Sequence, residues 1–494
     1  MKFLLQILHS VKALLLSTQG KWIAIFLILI VNVGLYNIIG SKGFTDAIQS
    51  RKDASGFSIE SGQEFVYFYY YTDYFPLASL NKNKIYNKEA AYQEIKDEGE
   101  NLVMEYKQWT RFGENGRIWA FLPNAIMKGS PENPSIRLFN STLFTLSLII
   151  LFIGFYRIGF PLIGAIIVFA INFTPYFIYE VYANENIFSL LASTFFIVLG
   201  TSIHLLFRRE HNLFKSSLLL ISLSVYIACI SEIRNEISIV IASLLLIVAL
   251  AQHFKYVPKF ILIILCISTF VGSKIIIQSN FDDKFNTAYK VVEKNGGHLY
   301  NGNRVKGHTL WHPIFCGLGD YDTKYGYAWN DKVAYNYAVP ILKEKYSIDI
   351  DYSGEYSTNN YYDDDELYYV KLEEIEEYEE IVKDKVLSDI KNDPLWYIEI
   401  ILKRMAKVLS TTIPIPYIGW TLIPLLLLLI KKRKWIYINL IIVSLPLSLS
   451  SVLIYSGRGI SYNSVFVYMI LIVALLLYKD SKSLKNNLQA NNNI

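Results

Sequence analysis

Residues 65–75, FVYFYYYTDYF, set a single carboxylate, Asp73, into an almost unbroken run of rings. Desolvation among rings raises the pKa of an acid and makes it a better proton acceptor, so one reading is a general base walled by aromatics, with Tyr71 among the rings that would face a ligand. The other is a half-buried strand or interfacial belt, on which Tyr67, Tyr69 and Tyr71 alternate and Asp73 merely ends the run. Glu64 stands just before it. Charges recur beside apolar runs in three further places: Glu180 and Glu185 in NFTPYFIYEVYANEN, Glu232, Arg234 and Glu236 in CISEIRNEIS, and Arg458 in YSGRGISYN. A guanidinium grips phosphate with two parallel hydrogen bonds, so Arg234 and Arg458 suit a phosphate-bearing ligand; the alternative is a structural ion pair with neighbours such as Glu232 and Glu236.

The stretch 307–331, GHTLWHPIFCGLGDYDTKYGYAWND, interleaves Trp311, Tyr321, Tyr325, Tyr327 and Trp329 with Asp320, Asp322 and Asp331. Flat rings stack on the apolar faces of sugars while carboxylates accept hydroxyl hydrogen bonds, so Trp311, Asp320 and Trp329 are candidate sugar contacts. A glycine-rich loop packed by its own aromatics has the same composition. His308 and His312 have the i, i+4 spacing of zinc ligands on a helix, but Pro313 and the surrounding glycines argue against a helix there, and no metal ligand is assigned. Asp363–Asp365 in YYDDDELYYVKLEEIEEYEEIVKDKV could gather calcium, yet the spacing of Leu, Ile and Val in that stretch predicts a solvated helix face. The sequence contains no phosphate-binding Walker loop, dinucleotide fingerprint, HExxH or nucleophile elbow, so it gives no support to ATP-driven transport or ordinary soluble hydrolase chemistry.

These groups must be positioned by a membrane scaffold. The 494 residues are 53% hydrophobic and only 18% charged, with a mean hydropathy of +0.29, outside the usual range of a soluble domain. A hydrocarbon core about 30 Å thick needs roughly 20 apolar residues per helix. Such runs occur in WIAIFLILIVNVGLYNIIG and at about 138–156, 159–179, 186–207, 214–232, 236–253, 258–277, 415–430, 435–455 and 463–478. The fold class expected is an all-α polytopic membrane protein of about ten transmembrane helices. Residues 1–17 read as an interfacial helix, and residues 393–410, DPLWYIEIILKRMAKVLS, as an amphipathic helix with Lys403, Arg404 and Lys407 opposite its apolar face. The net charge of +4 is small and its basic residues sit at span ends, which gives no support to nucleic-acid binding. Cys229, Cys266 and Cys316 are too scattered for a disulfide framework.

Lys and Arg in short loops favour the cytoplasm. With the amino terminus inside, Arg157, then Arg208, Arg209 and Lys215, then Lys255 and Lys259, then Lys431–Lys434, and finally Lys479, Lys482 and Lys485 all fall inside. The expected organisation is then an interfacial helix and first span at 1–40, a long first outer loop at 41–137, spans two to seven at 138–277, a mixed helical and irregular outer region at 278–412, and spans eight to ten with a cytoplasmic tail at 413–494. A multi-pass protein of the plasma membrane, such as a bacterial inner membrane, with its working face on the outer, periplasmic side follows from that arrangement.

NPSIRLFNSTL leading into the second span, TPYFIYEVYANENIFSLL at the third-to-fourth hairpin, SEIRNE after the fifth span and SGRGISYNSVFVYMILIVALLL before the last complete this layout. Over most of the chain it resembles the C-class glycosyltransferases, integral membrane enzymes that use polyprenyl-phosphate-linked sugars outside the membrane. The resemblance implies an acid of the first outer loop as general base and outer arginines on the donor phosphate. Carried over, Asp73 is the base, with Glu64 the runner-up, and Arg234 and Arg458 are the phosphate contacts. The family acid follows the first span closely, whereas Asp73 lies farther on, which keeps Asp46 and Glu60 open as well. The implied partners are membrane lipid, a lipid-linked sugar donor and a glycan, lipid or protein acceptor. No cofactor is implied, and nothing in the sequence supports a divalent metal.

Two other classes share the architecture. An O-antigen ligase or polymerase would place its essential groups near Arg304, His308 and His312. A flippase or transporter would carry midplane charges and paired broken helices, which are not evident in the sequence. The orientation is checked by cysteine accessibility labelling at Ser55 and Ser357: both positions are expected to react from outside, and labelling from opposite sides would remove the arrangement and the enzyme reading together.

Overall fold

The computed structural model describes residues 14, 16–39, 93, 97, 136–183, 190–207, 212–233, 235–252, 254–294, 310–348, 350–351, 358–363, 366–372, 375–412, 415–454 and 467–479. These are predominantly helical. Helices α1 (Thr18–Ile39), α2 (Ile136–Arg157), α3 (Pro161–Asn172), α4 (Leu190–Phe207), α5 (Leu213–Ile233), α6 (Val240–Leu250) and α7 (Tyr256–Lys294) build the first part of an apolar bundle. After a polar module, α12 (Leu422–Lys431), α13 (Trp435–Ser444), α14 (Pro446–Leu453) and α15 (Val467–Lys479) complete it. Among the described residues four helices, Thr18–Ile39, Leu138–Arg157, Leu213–Glu232 and Tyr256–Val291, are long and apolar enough to cross a membrane. Six shorter apolar helices lie in the segments where the remaining spans were expected. The run expected at 159–179 breaks earlier: α3 stops at Asn172, Pro175 opens a short turn, and a π-turn follows at Ile178–Ala183.

Close backbone approach holds the bundle. A Cβ on Gly154 of α2 would stand 2.6 Å from the carbonyl oxygen of Gly200 on α4, and one on Gly200 would stand 2.7 Å from the Cα of Leu151, so only two glycines let these helices cross at this distance. Around them Phe144, Phe152, Phe155, Phe177 and Phe195 are sealed from solvent. The buried polar residue Asn32 of α1 is satisfied: its amide donates to the Ile28 carbonyl at 2.7 Å, and its oxygen accepts from the Tyr182 hydroxyl.

Contacts sort the helix ends into two groups. At one end the Lys21 ammonium lies 5.8 Å from the Tyr156 ring, Arg157 bonds His204 at 3.0 Å, Lys479 covers the Phe160 ring at 3.8 Å, and Phe207 packs on Tyr437. At the other, Glu232 at the end of α5 meets Lys274 of α7, and the 3₁₀ turn Asn235–Ile239 packs against α14. Helix α7 continues unbroken past residue 277 to Lys294; its 39 residues span about 58 Å, nearly twice a hydrocarbon core.

The polar module consists of α8 (Trp311–Leu318), α9 (Asp331–Tyr346), strands β1 (Ile350–Asp351), β2 (Thr358–Asp363) and β3 (Glu366–Lys371), then α10 (Glu376–Asn392) and α11 (Pro394–Ser410). The strands form one antiparallel sheet in the order β1-β2-β3, with Tyr361 opposite Tyr368 and Asp363 opposite Glu366. This corrects the expectation of a helix across the acidic stretch: only its second half, from Glu376, is helical. Tyr361, Tyr362, Tyr368 and Tyr369 favour a paired strand. Helix α8 is a second correction. Pro313 sits in its first turn, where its missing N–H costs nothing, and the carboxylate of Glu379 accepts from the backbone N–H groups of Leu310, Trp311 and His312 at 2.6, 2.7 and 3.3 Å.

Helix α11 starts where Asp393, as N-cap, accepts from the Trp396 N–H at 3.1 Å, with Pro394 at the first helical position. Its buried stripe is Trp396, Ile400, Arg404 and Val408, while Leu395, Ile398, Leu402 and Met405 face outward. Arg404 therefore does not belong with Lys403 and Lys407 on the polar face; it is completely buried. Its Nη1 donates to the carbonyls of Val452 and Leu453 at 3.2 and 2.9 Å, and its Nε lies 3.7 Å from the carboxylate of Asp320, itself 8% exposed. A Cβ on Gly317 of α8 would stand 1.8 Å from the Ile454 carbonyl oxygen, so the module touches α14 backbone to backbone there. Replacing Arg404 by Met removes the donors and strands the Asp320 charge, so the full-length protein in detergent is expected to lose roughly 3–5 kcal/mol of stability. The double variant Arg404→Met/Asp320→Asn is expected to recover part of that loss. Denaturation midpoints check both, and an unchanged Arg404→Met midpoint would show that the contact carries no stability.

Candidate functional site

Two clusters collect the polar chemistry of the described residues, and both lie in or beside the module. The first is its junction with the bundle. There the 3₁₀ turn that follows α5 packs on α14, and the end of α14 receives Arg404 with its partner Asp320. Glu232 is buried, and its Oε1 lies 3.4 Å from the Lys274 ammonium and 3.2 Å from the Gln278 amide, which donates to it. Lys274 is a cation that sequence reading passed over, because it sits inside an apolar run that reads as uninterrupted span. Asp73, Glu64, Tyr71, Glu185, Arg234 and Arg458 lie outside the described residues.

Arg404 is the charged group that sequence reading misplaced. Burial pulls its pKa down and Asp320 opposes the shift, with the guanidinium remaining the charged form. Its Nε and Nη2 are buried without a hydrogen-bond partner. An apolar stripe with i, i+4 spacing that includes an arginine is the signal that could have revealed it, since Trp396, Ile400, Arg404 and Val408 fall on one helical line.

The residues expected to form a sugar platform separate. The loop after α8 is packed by its own side chains. Asp322 accepts from the backbone N–H groups of Lys324, Tyr325 and Tyr327 at 2.9, 3.1 and 2.8 Å and from the Trp396 indole at 3.0 Å. Burial pushes the Asp322 carboxyl up, but these four donors outweigh it and hold its pKa below the ordinary aspartate value. Tyr327 is buried edge-on to Phe315 at 4.6 Å and stacked on Trp396 at 5.8 Å, and its hydroxyl donates to Asp389 at 2.7 Å. Asp320 faces Arg404, and Trp311 is half-buried at the start of α8. Of the three platform residues assigned to sugar contact, Trp329 alone presents an exposed ring, at 43%.

The second cluster surrounds His312. Its Nδ1 is 2.6 Å from the Tyr378 hydroxyl and its Nε2 is 3.2 Å from Asp331 Oδ1, while Tyr335 stacks on the ring at 5.5 Å. The Cys316 thiol, one turn along α8, lies 3.7 Å from Nε2 and 3.8 Å from Asp331 Oδ1. His312, Cys316 and Asp331 are a group whose ligand atoms could hold a metal ion. Sequence reading found His312 but paired it with His308; the histidine-to-cysteine spacing of i, i+4 was the usable signal, hidden by the expectation that Pro313 excludes a helix. Glu379, whose carboxylate fixes the start of this helix, has its pKa raised by burial against the lowering effect of the three backbone donors.

No protein-family model, curated protein or solved structure matches the chain.

Proposed function

We propose that the chain is a multi-pass membrane glycosyltransferase that moves a sugar from a polyprenyl-phosphate-linked donor to a glycan, lipid or protein acceptor at the outer face of the plasma membrane. The observation that supports this reading is the junction. A folded polar module is fastened to α14, the helix on which the 3₁₀ turn after α5 also packs. A lipid-linked donor enters from the bilayer with its phosphate at the interface, so a transferase needs cations at span ends and an acceptor-binding body above them. Lys274 and the buried Arg404 bring two further cations to this region, each held by a carboxylate, Glu232 and Asp320.

In the proposed reaction the Asp73 carboxylate takes the proton of an acceptor hydroxyl as its oxygen attacks the anomeric carbon. The bond from that carbon to the phosphate oxygen breaks, the lipid phosphate leaves with the electron pair, and the configuration inverts. Arg234 and Arg458 stabilise the departing phosphate, where a bidentate guanidinium does more than a point charge. Tyr71, Glu185 and the exposed ring of Trp329 are the proposed sugar contacts.

Replacing Asp73 with Asn keeps the shape and removes the base, so turnover in a purified transfer assay is expected to fall about 10²–10⁴-fold with donor binding nearly intact. Arg458→Lys is expected to weaken donor binding although charge is kept. A folded Asp73→Asn protein with normal turnover, together with a loss in Glu64→Gln, moves the base to Glu64; normal turnover in both overturns the reading.

A further inference from the structure

We infer that His312, Cys316 and Asp331 form a zinc site in the polar module, with three protein ligands and a fourth position open to solvent. The inference stands apart from the transfer reaction proposed above and rests on the geometry of the ligand atoms. Tetrahedral zinc bound at about 2.0–2.1 Å to nitrogen, 2.3 Å to sulfur and 2.0–2.2 Å to oxygen holds those atoms roughly 3.3–3.6 Å apart. Here Nε2 to Oδ1 is 3.2 Å, Sγ to Nε2 is 3.7 Å and Sγ to Oδ1 is 3.8 Å. All three edges of a tetrahedral face are thus in place to within a few tenths of an ångström.

The surroundings are those of a metal-binding imidazole. A ligating histidine commonly engages its second nitrogen in a hydrogen bond that fixes tautomer and ring orientation. The Nδ1 of His312 lies 2.6 Å from the buried Tyr378 hydroxyl, so an Nδ1–H donating there turns the Nε2 lone pair toward the metal. Stacking on Tyr335 fixes the ring plane, and the three backbone N–H groups held by Glu379 fix the helix turn that carries His312. Asp331 comes from the first turn of α9, whose start is set separately by Asn330 accepting from the Lys332 N–H at 3.0 Å. Two independently capped helices therefore aim their ligands at one point.

The chemistry of the set selects the metal. One thiolate, one imidazole and one carboxylate in a tetrahedral arrangement suit zinc and not the all-oxygen octahedral preference of magnesium or calcium. A divalent ion with one thiolate and one carboxylate is neutral overall, which favours a position where His312 and Cys316 are almost wholly buried. The Asp331 side chain is 65% exposed, so the site opens to solvent on that side, where water completes the coordination.

The test uses the full-length protein in detergent, stripped with chelator and titrated with zinc chloride or cobalt chloride. One zinc per chain is expected, and cobalt is expected to give the intense tetrahedral visible bands and the near-ultraviolet charge-transfer band of a thiolate ligand. Cys316→Ser should abolish that charge-transfer band, and Asp331→Asn, a change at an exposed side chain that leaves the Asn330 cap intact, should weaken zinc binding while the protein stays folded. Tyr378→Phe should lower zinc affinity roughly 10–100-fold, the usual effect of losing a partner of a ligating histidine. Zinc should also protect Cys316 from maleimide in a Cys229→Ser/Cys266→Ser background. A folded protein that takes up no zinc, or one whose cobalt spectrum lacks the thiolate band, would overturn the site and leave a hydrogen-bonded Tyr–His–Asp cluster in its place. Unchanged zinc affinity in both Cys316→Ser and Asp331→Asn would do the same.

Discussion

The last carbonyls of α14 have no partners within their helix, and the attachment of the polar module depends on how they are satisfied. A helix C-terminus carries four such acceptors and a partial negative charge, and burying it without donors is costly. Arg404 meets the need from α11, giving Nη1 to the carbonyls of Val452 and Leu453, while Gly317 lets α8 settle directly against the next carbonyl, that of Ile454. Asp320 supplies the countercharge that makes a buried guanidinium tolerable. The three residues come from two helices and the turn after α8, so the junction exists only when the module is folded.

The interior of the module follows the same logic of polar groups placed to end and join elements. Asp322 closes the loop after α8 by accepting three backbone N–H groups and then reaches the Trp396 indole of α11. Glu379 starts α8 from α10, and Tyr327 ties the loop to α10 through Asp389. The apolar body these bonds enclose, Phe315, Leu318, Tyr327, Tyr335, Tyr378, Val382, Val386, Trp396 and Ile400, forms a core separate from that of the bundle. Rings that sequence composition offers equally to sugar or to self-packing are here mostly consumed by packing, because a loop this rich in glycine needs side-chain staples to hold one shape.

Much of the bundle was legible because hydrophobic length is a local signal. The four long apolar helices and the six shorter ones coincide with runs that can be read without tertiary information, and Asp393–Pro394 marks the start of α11 by the ordinary chemistry of helix entry. What was not legible depends on partners distant in sequence. Arg404 looks like a companion of Lys403 and Lys407 until α14 brings carbonyls to it, a contact across nearly fifty positions. The acidic stretch before α10 reads as one helix by the spacing of its Leu, Ile and Val, yet Thr358–Asp363 and Glu366–Lys371 pair as antiparallel strands, where the strand preference of the tyrosines outweighs a weak helical period. Pro313 was weighed as a breaker when its place in the first turn of α8 makes it harmless.

The polar module also shows why its chemistry concentrates where it does. In α11 the buried stripe includes a charged residue, Arg404, and the outward stripe of Leu395, Ile398, Leu402 and Met405 is apolar, the inverse of a helix on a soluble domain. Such a helix is at ease with its outward face in the headgroup region of a membrane and its inner face against protein. Its polar contacts must then be made inward, toward α8 and α14, and Arg404 and Asp320 are driven into the junction because neither the lipid-compatible face nor the aromatic core of the module can solvate them. The charge that fastens the module is thus the one that no other surface of the module can accommodate, so a single constraint both places the Arg404–Asp320 pair and holds the module to α14.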